Sequence, residues 1–361
     1  MLTRGDEYPL HQTPEPVANV GTSDRNFYDR FFFNGFARDG SMYFAAAMGQ
    51  YPNRSVMDAA FSVVHKGRQY ALRASCRMGA DRMVTQVGPI GVQVVEPLQK
   101  LRLVVQPNPH EISGDLLFVG RAPVLEEPRF NKRVDGRLFI DYTRLTQHVT
   151  VEGTLQVAGE TIRITPDRFW GFRDRSWGVR PVGEREAGAP GSAPQFFWLW
   201  SPMHFDDLCT HFDVNEDADG TQWHSVGMLI PNGGAVEHMQ SVAHRLEFQS
   251  GTRHARRAEI RLRRRSGEEL QIELTPLYSF YMVGLGYMHP QWGHGMYVGE
   301  NEMGGESWNL SEVDPGVPLY LHIQAVCQAK FGQRQGIGVL EQLILGTHQP
   351  YGFKDLFDMA P

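Results

Sequence analysis

Cysteine is scarce in this chain. Cys76, Cys209 and Cys327 are the three among 361 residues, far apart and odd in number. They form neither a disulfide framework nor the paired spacing of a zinc site. Long apolar runs are missing too: none approaches the ~20 residues a membrane-spanning helix needs. The opening stretch, Met1 to Pro9, lacks the apolar core of a secretion signal. The expected setting is therefore a reducing cytoplasm, with no integral membrane segment. Charge of one sign is not in excess either. The net charge of -6 offers nucleic acid no general attraction. There is no Walker-type phosphate loop, dinucleotide fingerprint, Gly-x-Ser-x-Gly elbow or His-Glu-x-x-His helix, so nucleotide chemistry and serine hydrolysis lose ground. No segment carries a long helical period.

What the chain does have is many short apolar segments punctuated by turn residues. Residues 1–26 read as an extended, Pro-rich lead-in. From Phe27 onward, dipeptides such as Asp39-Gly40, Lys66-Gly67, Asp135-Gly136 and Ala158-Gly159 separate alternating stretches, as in β-hairpins. The Gly- and Pro-rich run 181–194 is the clearest loop. Strands resume at Phe196–Trp200, with Asp219-Gly220 and Asn232-Gly233 as later turns. The arginine-rich tract 254–265 alternates with Ile260 and Leu262 and faces a glutamate-rich segment across Ser266-Gly267. It reads as one side of a charged hairpin and not as a nucleic-acid surface. The expectation is an all-β protein of antiparallel barrels or sandwiches, with one unit over 27–180 and a second over 195–361.

Chemistry concentrates in Asp167-Arg-Phe-Trp-Gly-Phe-Arg-Asp-Arg-Ser-Trp-Gly-Val-Arg180. Read as a strand, it puts Trp170, Phe172, Asp174 and Ser176 on one face and Arg173, Arg175 and Trp177 on the other. A carboxyl beside aromatic rings loses water, which raises its pKa. A second concentration is Gly286-Tyr-Met-His-Pro-Gln-Trp-Gly-His-Gly295. There Tyr287, His289, Trp292 and His294 could present polar tips, and Gly293 and Gly295 could let backbone approach a ligand. His204, Asp206, Asp207, His211 and Asp213 form a His/Asp-rich hairpin whose spacing matches no specific metal motif, so no metal is expected.

The Arg173-Asp-Arg-Ser-Trp-Gly178 motif, followed by a loop and the aromatic strand Phe196-Phe-Trp-Leu-Trp200, resembles the carotenoid 1,2-hydratase (hydroxyneurosporene synthase) superfamily, whose relatives include tocopherol cyclase-like proteins. Trp292-Gly-His-Gly295 and Gly336-Ile-Gly-Val-Leu-Glu341 extend the likeness toward a bacterial branch. The resemblance implies two tandem lipocalin-like (calycin) antiparallel β-barrels. It implies apolar ligands in or between the barrels, and chemistry by proton addition to an alkene followed by water capture or cyclisation.

Two functions are expected to compete. One is a hydratase, cyclase or isomerase that acts without a cofactor on a terpenoid or lipid-like alkene. The other is a non-catalytic carrier of a hydrophobic small molecule. The enzyme reading assigns the proton donor to Asp174, with Asp167 second. Tyr287 and His289 position water or a substrate hydroxyl, and His294 accepts the final proton. The pocket is expected to be apolar and aromatic, walled by Trp170, Phe172, Trp177, Trp198, Trp200 and Trp292.

Overall fold

A computed structural model of the chain describes residues 1–184, 191–356 and 358–361. The expected 181–194 loop thus lies partly outside the described residues. The described chain is built almost wholly of antiparallel strands, and its helical pieces are short 3-10 turns. This bears out the all-β expectation. No helix is long and apolar enough to cross a membrane.

The strands form two curled sheets, of 14 and 10 strands. The hairpins arise where the sequence suggested. Lys66-Gly67, Asp135-Gly136 and Ala158-Gly159 all have positive φ at both positions, the geometry that turns a right-twisted ribbon in two residues. Phe169–Val179 is central to the first sheet. It pairs with Phe27–Ala37 on one side and Arg137–Val157 on the other. Gly171 lets the first partner lie close, since a Cβ there would sit 2.2 Å from the Asn34 carbonyl oxygen. In the second sheet, Phe196–Trp200 lies between Leu208–Glu216 and Arg334–Leu345.

The three largest apolar clusters among the described residues follow from this alternation. Phe33, Phe44, Phe61 and Phe118 fill the first barrel. Leu199, Phe212, Leu262 and Leu274 fill the second. Phe32, Phe36, Phe172, Trp200 and Phe280 form a third cluster, at the seam between the sheets. Strand faces that look out of each barrel therefore become a shared interior.

Strand membership follows chain order except at Glu302–Asn309. This strand leaves the second half and pairs with Arg68–Arg77 of the first sheet. The chain leading to it is fastened on the way. Gln69 Nε2 donates to the Tyr281 carbonyl at 2.8 Å, and Gln69 Oε1 accepts the Tyr281 amide at 2.9 Å. Arg73 Nη2 donates to the Val283 carbonyl at 2.8 Å. These bonds set the 3-10 turn Met282–Leu285 on the first barrel, and with it the residue that follows Gly286. Gly286 has φ 93°, and a Cβ there would sit 2.4 Å from the Trp292 carbonyl oxygen.

Candidate active site at the seam

The seam encloses a cavity of about 20 Å³, room for roughly one water molecule. Its walls come in pairs two residues apart, because alternate side chains of a strand share a face. Phe27–Ala37 supplies Arg30 and Phe32, Arg137–Val157 supplies Tyr142 and Arg144, and Phe169–Val179 supplies Asp174 and Ser176. Phe196–Trp200 supplies Trp198 and Trp200 from the opposite sheet. Arg180, Glu341 and Tyr287 complete the lining. Three larger open clefts, of about 760, 420 and 300 Å³, lie elsewhere on the surface. None gathers a comparable set of buried ionisable groups.

Asp174 sits between Phe32 and Thr146 in strand register. Its carboxyl has no hydrogen-bond or ion-pair partner among the described residues. Burial raises its pKa to about 7, against the pull of Arg144 and Arg180, and the carboxylates of Glu127 and Glu341 push the same way as burial. Its sequence neighbours do face away. Arg173 donates from Nε to Gln147 Oε1 at 2.8 Å. Arg175 pairs with Asp29 and stacks on Phe31 at 4.0 Å.

The other charges are held by specific partners. Arg144 donates from Nε to Glu127 at 2.7 Å and also to Asp213. Asp213 accepts the indole N–H of Trp198 at 2.9 Å. Arg30 donates to the Tyr51 hydroxyl at 2.9 Å and lies 3.4 Å from Asp58. Burial raises the Asp58 pKa and Arg30 pulls it back. Glu341 meets His322 Nε2 at 2.6 Å through one oxygen and the Gln324 amide at 2.6 Å through the other. The Tyr287 ring is held edge-on by His294, at 4.0 Å between centroids, and by His322, at 4.6 Å.

Of the residues singled out from sequence, the fold brings Asp174, Tyr287, Trp198 and Trp200 to the cavity. It places the others elsewhere. Asp167 is exposed at the turn before its strand, and a bond from the Thr165 hydroxyl lowers its pKa. His289 accepts the Gln291 and Trp292 amides on Nδ1 and approaches Glu306 at 3.5 Å. His294 is buried behind Arg30, which donates to its Nε2 at 2.9 Å, and burial drives its pKa well below the usual histidine range. Trp170 is clasped by Arg38 and Arg121, at 3.9 and 4.4 Å, and stacks on His204. Phe172 packs between Trp200 and His211. Trp177 is 39% exposed. Trp292 lines a separate small void with Asp58 and Arg73. Gly293 and Gly295 serve packing: the first lies against Gly183, and the second donates its amide to Asp58 at 2.7 Å.

The expected apolar pocket is corrected on one point. Its walls include Phe32, Trp198 and Trp200, but three arginines, Asp174, Glu341 and two tyrosines share them. The outward faces that meet at the seam are mixed: they form the apolar cluster of Phe36, Phe172 and Phe280, and at the cavity they turn arginines and carboxylates inward. Sequence reading missed Arg30, Tyr142, Arg144, Arg180 and Glu341. Two had a visible signal: Arg180 ends the central motif, and Glu341 ends the Gly336–Glu341 segment.

Two buried donor sets have ligand atoms close enough for a metal, His148/His204/Cys209 and Glu127/His211/Asp213. A guanidinium already occupies each. Arg121 lies 2.8 Å from His204 Nδ1 and 3.7 Å from Cys209, and Arg144 bonds both Glu127 and Asp213. Asp206 and Asp207 of the same hairpin pair with Arg38 and Arg334.

Comparison with known proteins agrees with this architecture. Residues 2–354 match the sequence model of DUF8625, a family of unknown function. No curated protein matches significantly. Among solved structures, an AttH protein of Nitrosomonas europaea superimposes with TM-score 0.56 at 13% identity, covering 88% of this chain and 92% of that one. Kievitone hydratase of Nectria haematococca gives 0.55 at 12% identity, covering 90% and 93%. CghA, solved with Sch210972, gives 0.51 at 13% identity, covering 89% of each chain. The shared property is the fold, two lipocalin-like antiparallel barrels over nearly the full length.

Proposed function

The chain belongs to DUF8625, and we propose that it is a hydratase or cyclase that protonates a carbon–carbon double bond of a small molecule, with Asp174 as the acid. The observation that carries this reading is the Asp174 carboxyl. It lacks a bonded partner among the described residues, has its pKa raised to about 7 chiefly by burial, and faces a cavity walled by aromatic rings. A neutral acid of that strength can donate near neutral pH. The fold shared with kievitone hydratase supports the same reaction class.

Because the cavity has room for about one water molecule, the proposed reaction begins with the seam widening to admit the alkene; the Asp174 proton then adds to one alkene carbon, and the electron pair of the π bond forms the new C–H bond. Positive charge develops on the other carbon. Trp198, Trp200 and Phe32 present π faces to it, while Arg144 steadies the carboxylate left on Asp174. Tyr287 positions the water. The water oxygen bonds to the cation and releases a proton to Glu341, which His322 and Gln324 hold in place. If an internal hydroxyl or double bond captures the cation instead, the ring forms and the proton is lost from that oxygen, or from a carbon next to the new cation, to Glu341. Return of the proton from Glu341 to Asp174 closes the cycle, and no electrons are transferred. In this assignment Glu341 takes the role the sequence gave to His294, whose Nε2 is engaged by Arg30. A terpenoid substrate, independence from cofactors and a cytoplasmic location are parts of the same proposal.

The test is turnover of prenylated and terpenoid alkenes in oxygen-18 water, followed by mass spectrometry. The proposal expects labelled alcohol or an isomeric ring, and activity reduced by a hundredfold or more in Asp174→Asn with tryptophan quenching by the ligand retained. A ligand that binds and is returned unchanged under all conditions identifies a carrier instead.

A further inference from the structure

The charges around the cavity are not all matched. Arg144 is held by Glu127 and Asp213, and Arg30 lies beside Asp58. Glu341 is bonded by His322 and Gln324. Arg180 is different. Its guanidinium lies over the face of Tyr28, 4.5 Å from the ring centre. No carboxylate among the described residues lies within ion-pair distance of it, and its side chain donates no hydrogen bond to them. Tyr28, Tyr51, Tyr142 and Tyr287 surround it. Tyr28, Tyr51 and Tyr142 have their pKa values raised by burial, so they supply dipoles and no charge. Asp174, with its pKa raised to about 7, is only about half ionised near neutral pH. Arg180 is half-buried, and its guanidinium, which lines the cavity, keeps its donors available to a ligand. Among the described residues, Arg180 is therefore a guanidinium of the cavity wall that no carboxylate or hydrogen-bond acceptor holds.

We propose that Arg180 anchors a substrate bearing a single anionic oxygen, as a carboxylate, phenolate or enolate, in the same molecule as the reacting alkene. This rests on the proposed function and narrows its substrate class. An anion at Arg180 places negative charge near Asp174 and raises its affinity for its proton. Binding thus selects the acid form that the chemistry needs. It also draws the guanidinium away from Asp174, removing an interaction that favours the ionised carboxylate.

The experiment compares geranate with geraniol, which share one alkene skeleton and differ in charge. Binding is read by tryptophan quenching near neutral pH, without turnover. Wild type is expected to prefer the acid by roughly tenfold or more, as for a charge-assisted pair. Arg180→Met should abolish that preference by weakening the acid alone, and Arg180→Lys should restore part of it. Equal binding of acid and alcohol by wild type, or a preference that survives Arg180→Met, overturns the proposal. A ligand-free measurement guards against a failure of both probes. Arg180 holds no carboxylate or carbonyl among the described residues, so Arg180→Met is expected to leave the melting temperature of the empty protein unchanged or slightly raised. A fall of several degrees instead makes Arg180 structural and also overturns the proposal. The two readings fail separately. Acid preference with full turnover in Asp174→Asn defeats the catalytic proposal alone, and lost turnover in Asp174→Asn without acid preference defeats this one alone.

Discussion

Replacing Asp174 by Asn keeps the shape of the side chain and removes the acid, and the effect on stability should depend on pH with a definite sign. The folded pKa is raised by burial from 3.8 to about 7. Between those values the folded state holds a proton that the unfolded chain has released, so folding is progressively penalised as pH rises through the window. At ~1.4 kcal/mol per pKa unit the full penalty above about pH 7 is on the order of 4 kcal/mol. Because the carboxyl faces a cavity that can hold water, ~2 kcal/mol is a reasonable lower figure. Asn carries no such penalty. The variant should match wild type near pH 4 and become more stable by roughly 2–4 kcal/mol at about pH 8, a shift of several degrees in melting temperature. Urea unfolding of both proteins across this range is the assay. The result that refutes the reasoning is a wild type more stable than Asp174→Asn at about pH 8, with the gap closing in acid. That pattern belongs to an ionised carboxylate serving as a structural ion pair. A variant that is more stable and yet inactive is the signature of a site held at a cost to the fold.

Three other outcomes are expected. The kcat/KM of the free enzyme should fall as pH rises through about 7, following loss of the Asp174 proton, and a profile flat from about pH 5 to 9 would contradict this. Glu341→Gln should slow turnover by roughly a hundredfold or more while leaving ligand-induced quenching in place, since it removes the proton acceptor and keeps a side chain of the same size. Burial acts to raise the Glu216 pKa, but bonds from His244 and His348 win and hold it at about 2. The stability this confers is complete above the unfolded value of 4.5 and is lost as pH falls toward about 2. Glu216→Gln should therefore flatten acid unfolding, and thermal melts from about pH 5 down to 2.5 would check it.

Much of this fold was legible because it is local. A period of two and a two-residue turn such as Lys66-Gly67 are written in adjacent residues. The face that carries Trp170, Phe172 and Asp174 followed from the same period. The site was less legible because its members are not neighbours. Arg30 and Arg144 have ordinary surroundings in sequence, and an arginine at alternate strand positions reads as a solvated face until a second barrel covers it. His289 and Trp292 misled for the complementary reason. Functional residue types gathered in one glycine-rich loop, but the loop uses them to cap its own amides and to pack on Asp58 and Arg73.

Glu302–Asn309 has a consequence for how the molecule protects itself. The strand occupies the last position of the first sheet, against Arg68–Arg77. Without it that strand would offer a row of free amide and carbonyl groups, the template on which chains join edge to edge. The cover arrives from late in the chain, so a nascent polypeptide that has completed its first barrel still carries an open edge until residue 309 has been made. During that interval the protein is exposed to intermolecular pairing. The turn before Tyr287 is fastened to the same strand, through Gln69 and Arg73, so Arg68–Arg77 is both the edge that needs cover and a support on which the site is built.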